Sequence, residues 1–274
     1  MRFILAAGLI LLMSFSKASL VTAQYKLQYT FKIDTPAVSV CIDNLNDVYL
    51  VTPANQILKY NNAGKLLWNY SNKAFGKLGY IDVTDPMRVL LFYPAIQQAV
   101  VLNNNLNEIT RFSFAEDASG LISLIATANS NGFWIYDQLN QQLRKLTNQF
   151  GNELQSLNLY QQTGFPLQPA IMHASDQNVF IYDSKQGIMK FDRFGNYLAT
   201  IKTGTISSFQ VRGDLIFVLR DKQWECYKVN SAERHTLFIF DETVLQVGEG
   251  NNRLAVLTNQ GVKIYTILNN EEGK

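Results

Sequence analysis

The chain has 274 residues, 47% of them apolar and 17% charged, with 24 Lys and Arg against 22 Asp and Glu. Near-neutral charge without a Lys/Arg cluster leaves nothing to neutralise a phosphate backbone, so nucleic-acid binding has no electrostatic support. The length suffices to bury a substantial core.

At the N-terminus, "MRFILAAGLILLMSFSKASLVTA" (1–23) reads as a signal peptide. Arg2 supplies the positive region, the apolar run Phe3 to Phe15 spans 13 residues, and small residues lead to Val21-Thr22-Ala23. Thirteen residues are too few for a hydrocarbon layer that needs about 20. The sequence predicts cleavage between Ala23 and Gln24, export to a periplasm or the cell exterior, and no transmembrane anchor afterwards. No cysteine follows the cut, unlike a lipoprotein signal. Arg2 and Lys17 leave with the leader, so 24 − 2 = 22 bases face 22 acids and the mature chain is formally neutral.

Next comes an isolated strand, "YKLQYTFKI" (25–33). Six apolar runs then recur: "VYLV" from Val48, "VLLF" from Val89, "FWIY" from Phe133, "VFIY" from Val179, "LIFVL" from Leu215 and "LAVL" from Leu254. Their spacings are 41, 44, 46, 36 and 39 residues. Consecutive apolar positions imply a strand covered on both faces. Each run follows an alternating strand such as "AVSVCID" and precedes a third strand such as "ILKY". A tight turn comes next ("NNAG", "DRFG"), with Gly64 or Gly195 where a hairpin wants positive φ, and then a fourth strand.

Four antiparallel strands at a period near 40 residues make a propeller blade. The prediction is an all-β, six-bladed β-propeller over 24–270, followed by a polar tail at 271–274. The last unit has three strands of its own, so the N-terminal strand is expected to complete it and close the ring, removing exposed sheet edges. No sustained 3.6-residue apolar pattern predicts a helix.

"CIDNLNDVYLVTPANQILKYNNAG" in blade 1 and "DQNVFIYDSKQGIMKFDRFG" in blade 4 resemble the NHL-repeat family of six-bladed propellers. The likeness is partial in blades 2 and 3 and faint in 5 and 6, and Gln56 stands where the repeat usually has Arg. That family spans interaction modules, ligand sensors and some enzymes, so the resemblance implies a fold and leaves the activity open.

No assembled catalytic set is legible. His173 shares a strand face with Ser175, but no nucleophile elbow exposes a serine, and His235 reads as a polar hairpin residue. A calcium-dependent lactonase or esterase would need oxygen ligands converging on the axis. The innermost strands begin without acids. At their far ends stand Asp43, Asp85, Asp176, Asp214 and Glu249, which turn chemistry accounts for and which a calcium ring would also use. Calcium is therefore an alternative cofactor; none is otherwise expected.

The loop between second and third strands carries a glutamine in every blade: Gln56, Gln98, Gln142, Gln186, Gln223 and Gln260. Copied hairpin residues explain them, and so does an uncharged ring offering donors and acceptors to a protein or polar ligand. The connection 158–168 adds Tyr160 and Phe165 as aromatic anchors. The leading expectation is a non-enzymatic interaction or polar-ligand-binding module. Cys41 and Cys226 fall in blades that are not neighbours, so two buried free thiols and no disulfide are expected.

Overall fold

A computed structural model describes residues 26–115, 120–128, 132–175, 177–229 and 233–268. The leader, the polar tail and Asp176 lie outside the described residues. Six four-stranded antiparallel sheets form a six-bladed propeller. From the axis outward, blade 1 runs Ser39–Ile42, Val48–Val51, Ile57–Tyr60 and Leu66–Tyr70. The innermost strands of blades 2 to 5 are Tyr80–Asp82, Ile122–Thr127, Pro169–Ala174 and Ser208–Arg212. Blade 6 contributes Val244–Glu249, Arg253–Thr258 and Gly261–Leu268, and Lys26–Ile33 pairs with the last of these. The N-terminal strand thus closes the ring as the sequence predicts.

The burial gradient explains the composition of each strand. Val48–Val51 is buried at every position because both of its faces pack on neighbouring blades, whereas the outermost strand Leu66–Tyr70 is largely exposed. Gly64 and Gly195 both take φ of 78° in the hairpins between third and fourth strands. A Cβ on Gly64 would meet the Phe31 ring at 2.7 Å, and one on Gly195 would meet Ser156 Cβ at 2.6 Å. Both positions therefore require glycine for backbone and for space.

Among the described residues one short α-helix, Leu159–Thr163, interrupts the β pattern, in the connection between blades 3 and 4. Asn158 accepts from Gln161 N at its start and Gly164 ends it with φ of 82°, a cap at each terminus. Five residues are too few to leave a periodic signal in the sequence. His235 also departs from expectation: it lies within the outermost strand Arg234–Ile239, opposite Cys226. Cys41 and Cys226 are free thiols on blades separated by blade 6. Cys226 is buried, but Cys41 is only half-buried, since its inner-strand position faces the axis. Among the described residues, no helix is long and apolar enough to cross a membrane.

Candidate functional site

Two regions gather polar or exposed apolar groups, one on each face of the ring. The upper face, where innermost strands begin, also carries the hairpins between second and third strands. All six glutamines sit there, at or just before the start of a third strand. Gln56, Gln98, Gln142, Gln186 and Gln223 are half-buried and Gln260 is exposed. Gln142 donates to Ser156 O at 3.2 Å and accepts from Gln155 at 2.6 Å, while Gln98 donates to Ala99 O at 3.2 Å.

The residues preceding three of these glutamines do more for the fold. Asn55, Gln97 and Gln141 all have positive φ, between 51° and 62°. Each aims its amide at the start of the next blade. Asn55 accepts from Leu78 N at 2.7 Å, Gln97 from Ile122 N at 2.8 Å, and Gln141 from Leu167 N at 3.1 Å. Gln97 also donates to Ile122 O and to Pro94 O, both at 2.9 Å. These amides staple blades 1 to 4 in sequence, and a count of glutamines alone does not separate them from their neighbours.

On the upper face at blade 3, exposed apolar side chains gather around a buried carboxylate. Asp137 accepts from the amides of Leu121 and Leu139, and Leu159 N donates to Gln141 O, so hairpin, inner-strand start and short helix form one corner. Leu121, Leu139, Leu157 and Tyr160 project from it, each between 47% and 68% exposed. Stretches 138–143 and 156–168, "QLNQQL" and "SLNLYQQTGFPLQ", contain no charged residue. Phe165, by contrast, packs partly against the core beneath, beside Leu159 and Leu167.

At the lower face the axis opens into a cavity of about 330 Å³ lined by the ends of innermost strands from five blades. Tyr80 of blade 2 stands in its wall: the phenol donates across the axis to Met172 O of blade 4 at 3.0 Å. Burial holds this phenol well above its ordinary pKa, so it stays a donor. His173 stands edge-on to Phe209 with ring centroids 4.7 Å apart. Burial lowers its pKa, opposed by the Asp82 charge and a hydrogen bond to the Phe209 backbone. It has no partnership with Ser175, whose hydroxyl is used in the turn with Asn178. Burial, reinforced by Asp82, pushes the Cys41 thiol up to about 12, so it is no nucleophile at neutral pH.

The sequence-predicted acids divide here. Asp43 accepts from Leu45 N, Asp47 N and Tyr49 OH at 2.9–3.0 Å, and Asp85 accepts from Met87 N at 3.0 Å. Asp214 is exposed. Glu249 differs. Its side chain is only 7% exposed; Oε1 lies 3.4 Å from Arg212 Nη1, and Oε2 has no hydrogen-bond partner. Burial pushes its pKa up to about 7, with Arg212 working against the rise. Among the described residues, no three His, Cys, Asp or Glu side chains stand together as a metal site. Asp82, Gln210 and Arg212 join Glu249 at the cavity and were not legible as a set. Their signal was polar residues near the inner-strand ends ("YIDV", "FQVRGD", "VGEG").

No protein-family model matches the chain, and no curated protein matches it in sequence. Solved propellers do match in structure. A catalytically inactive variant of virginiamycin B lyase from Staphylococcus aureus with quinupristin aligns at 12% identity, with a TM-score of 0.59, over 89% of this chain and all of that one. A streptogramin B lyase structure aligns at 11% identity with a TM-score of 0.60, over 90% and 99% of the two chains. The WD40 domain of Neurospora crassa Pan2 aligns at 8% identity with a TM-score of 0.57, over 88% and 91%. At such identities the likeness shows the propeller fold and no activity.

Proposed function

We propose that this chain is an exported, non-enzymatic propeller that docks a protein partner on its upper face. The observation carrying this reading is the corner of blade 3, where Leu121, Leu139, Leu157 and Tyr160 are exposed on connections joined through the buried Asp137 and the Leu159 N–Gln141 O hydrogen bond. Interface centres are depleted in Lys, Glu and Asp and enriched in aromatic residues such as Tyr160, and contiguous exposed apolar patches, unlike single scattered apolar residues, mark interaction sites. Gln98 and Gln142 flank it, supplying uncharged donors and acceptors for a polar rim, and the other four glutamines extend that rim around the ring. Phe165 supports the patch from below. The N-terminal leader supports export, and the NHL-like grammar of blades 1 and 4 fits an interaction module. The rival calcium-dependent hydrolase gains no support from Asp43 or Asp85, whose oxygens serve their own turns.

The test is in-cell cross-linking with the source organism, comparing the native chain with the Leu139→Asp, Leu157→Asp double variant. A stoichiometric partner captured by the native chain and lost by an equally stable variant supports the reading. Capture of nothing, or of a partner indifferent to both changes, overturns it.

A further inference from the structure

We infer that the lower axial cavity is a binding site for a small organic ammonium ion, with Glu249 as its counter-ion. Three features of the cavity carry this. First, the cavity sits at the lower-face ends of innermost strands from five blades, and Tyr80, which donates to Met172 O, stands in its wall. About 330 Å³ is at the small end of ligand pockets, so the occupant has few heavy atoms.

Second, Glu249 lines that well, and its Oε2 is buried just beneath the surface without a hydrogen-bond partner. A buried carboxylate oxygen lacking a donor is costly, and an ammonium N–H supplies both donor and charge. Backbone geometry holds it in place, because Glu249 N donates to Gln210 Oε1 at 2.7 Å.

Third, the charge balance favours a cation. Asp43 from blade 1 and Asp82 from blade 2 line the same well with Glu249 from blade 6. Arg212 from blade 5 is the opposing charge. Its side chain is 48% exposed at the mouth, and its Nη2 is engaged by Gly250 O at 2.5 Å. Water therefore screens it more than it screens the deeper carboxyls. His173 from blade 4, lowered by burial, and Cys41 from blade 1, raised by burial, are both neutral at pH 8.5.

Propylammonium is the probe and propionate its isosteric control, each followed by melting temperature and by calorimetric titration of the full mature chain. At pH 8.5 a propylammonium concentration about tenfold above its dissociation constant raises the melting temperature by roughly 3 °C. Propionate has no such effect. At pH 5.5, where Glu249 is protonated, the rise disappears. Glu249→Gln abolishes binding at pH 8.5, and Arg212→Ala strengthens it, since the competing cation is gone. The second variant keeps the test decisive should the first disturb the fold. No response to propylammonium, an equal response to propionate, or a response that survives Glu249→Gln would overturn the inference. The well lies on the face opposite the blade 3 patch, so this site and the docking surface fail independently.

Discussion

Tyr80 reaches across the propeller axis to donate to the carbonyl of Met172, tying blade 2 to blade 4 over the intervening blade. Met172 lies in an innermost strand, whose axial edge has no neighbouring strand to pair with. Tyr80→Phe keeps the ring and removes only the donor, leaving a buried carbonyl unsatisfied at a cost of about 1–2 kcal/mol. The expected result is a melting temperature lower by about 2–6 °C. An unchanged value would mean that water replaces the phenol.

Adjacent glutamines in one hairpin should behave oppositely. Gln97 holds both backbone groups of Ile122 and sits at φ of 51°, whereas Gln98 is half-exposed and, among the described residues, donates to Ala99 O alone. Gln97→Ala should lose about 2 kcal/mol in urea unfolding, and Gln98→Ala less than about 0.5 kcal/mol. Gln97→Gly separates the causes: it accepts the left-handed backbone but also loses the staple.

This contrast shows where sequence reading reached its limit. Blade number, strand order and the closing strand were legible because burial on both faces writes continuous apolar runs such as Val48–Val51 at a regular spacing. Glycines 64 and 195 were legible for the same reason: hairpin geometry is local. The axial cavity was not. Tyr80, Asp82, Arg212 and Glu249 come from three blades, and only the closure of the ring brings them together. Nor does composition tell a stapling Gln97 from a half-exposed Gln98; the left-handed backbone at the first does.

Lys59 is fully buried, paired with Asp47 at 3.1 Å and bonded to Asn104 of blade 2. Its ammonium also lies 5.1 Å from the Tyr49 ring centroid. Removing one member of a buried ion pair strands the other, so Lys59→Met should destabilise by about 3 kcal/mol. Asp47→Asn should cost less, because Asn104 still accepts from the lysine. Equal losses would place the energy in the ion pair alone.

Glu249 makes stability depend on pH in a direction opposite to an ordinary salt-bridged carboxylate. Its pKa rises from 4.5 to about 7 on folding, chiefly through burial. The folded state therefore holds the proton more tightly than the unfolded one between these values, and stability falls as pH rises through that window. The full effect is on the order of 3 kcal/mol. Asp43, also raised by burial, adds the same sign at lower pH, and His173, lowered, opposes it in acid. The difference between native chain and Glu249→Gln isolates the one group. Urea unfolding at pH 4.5, 6 and 8 should find the variant gaining steadily on the native chain, and at least its equal at pH 8. The half-exposed Arg212 partner contributes little to offset that gain. A constant difference across the three pH values would mean that folding leaves the Glu249 pKa at its ordinary value, so that burial does not raise it.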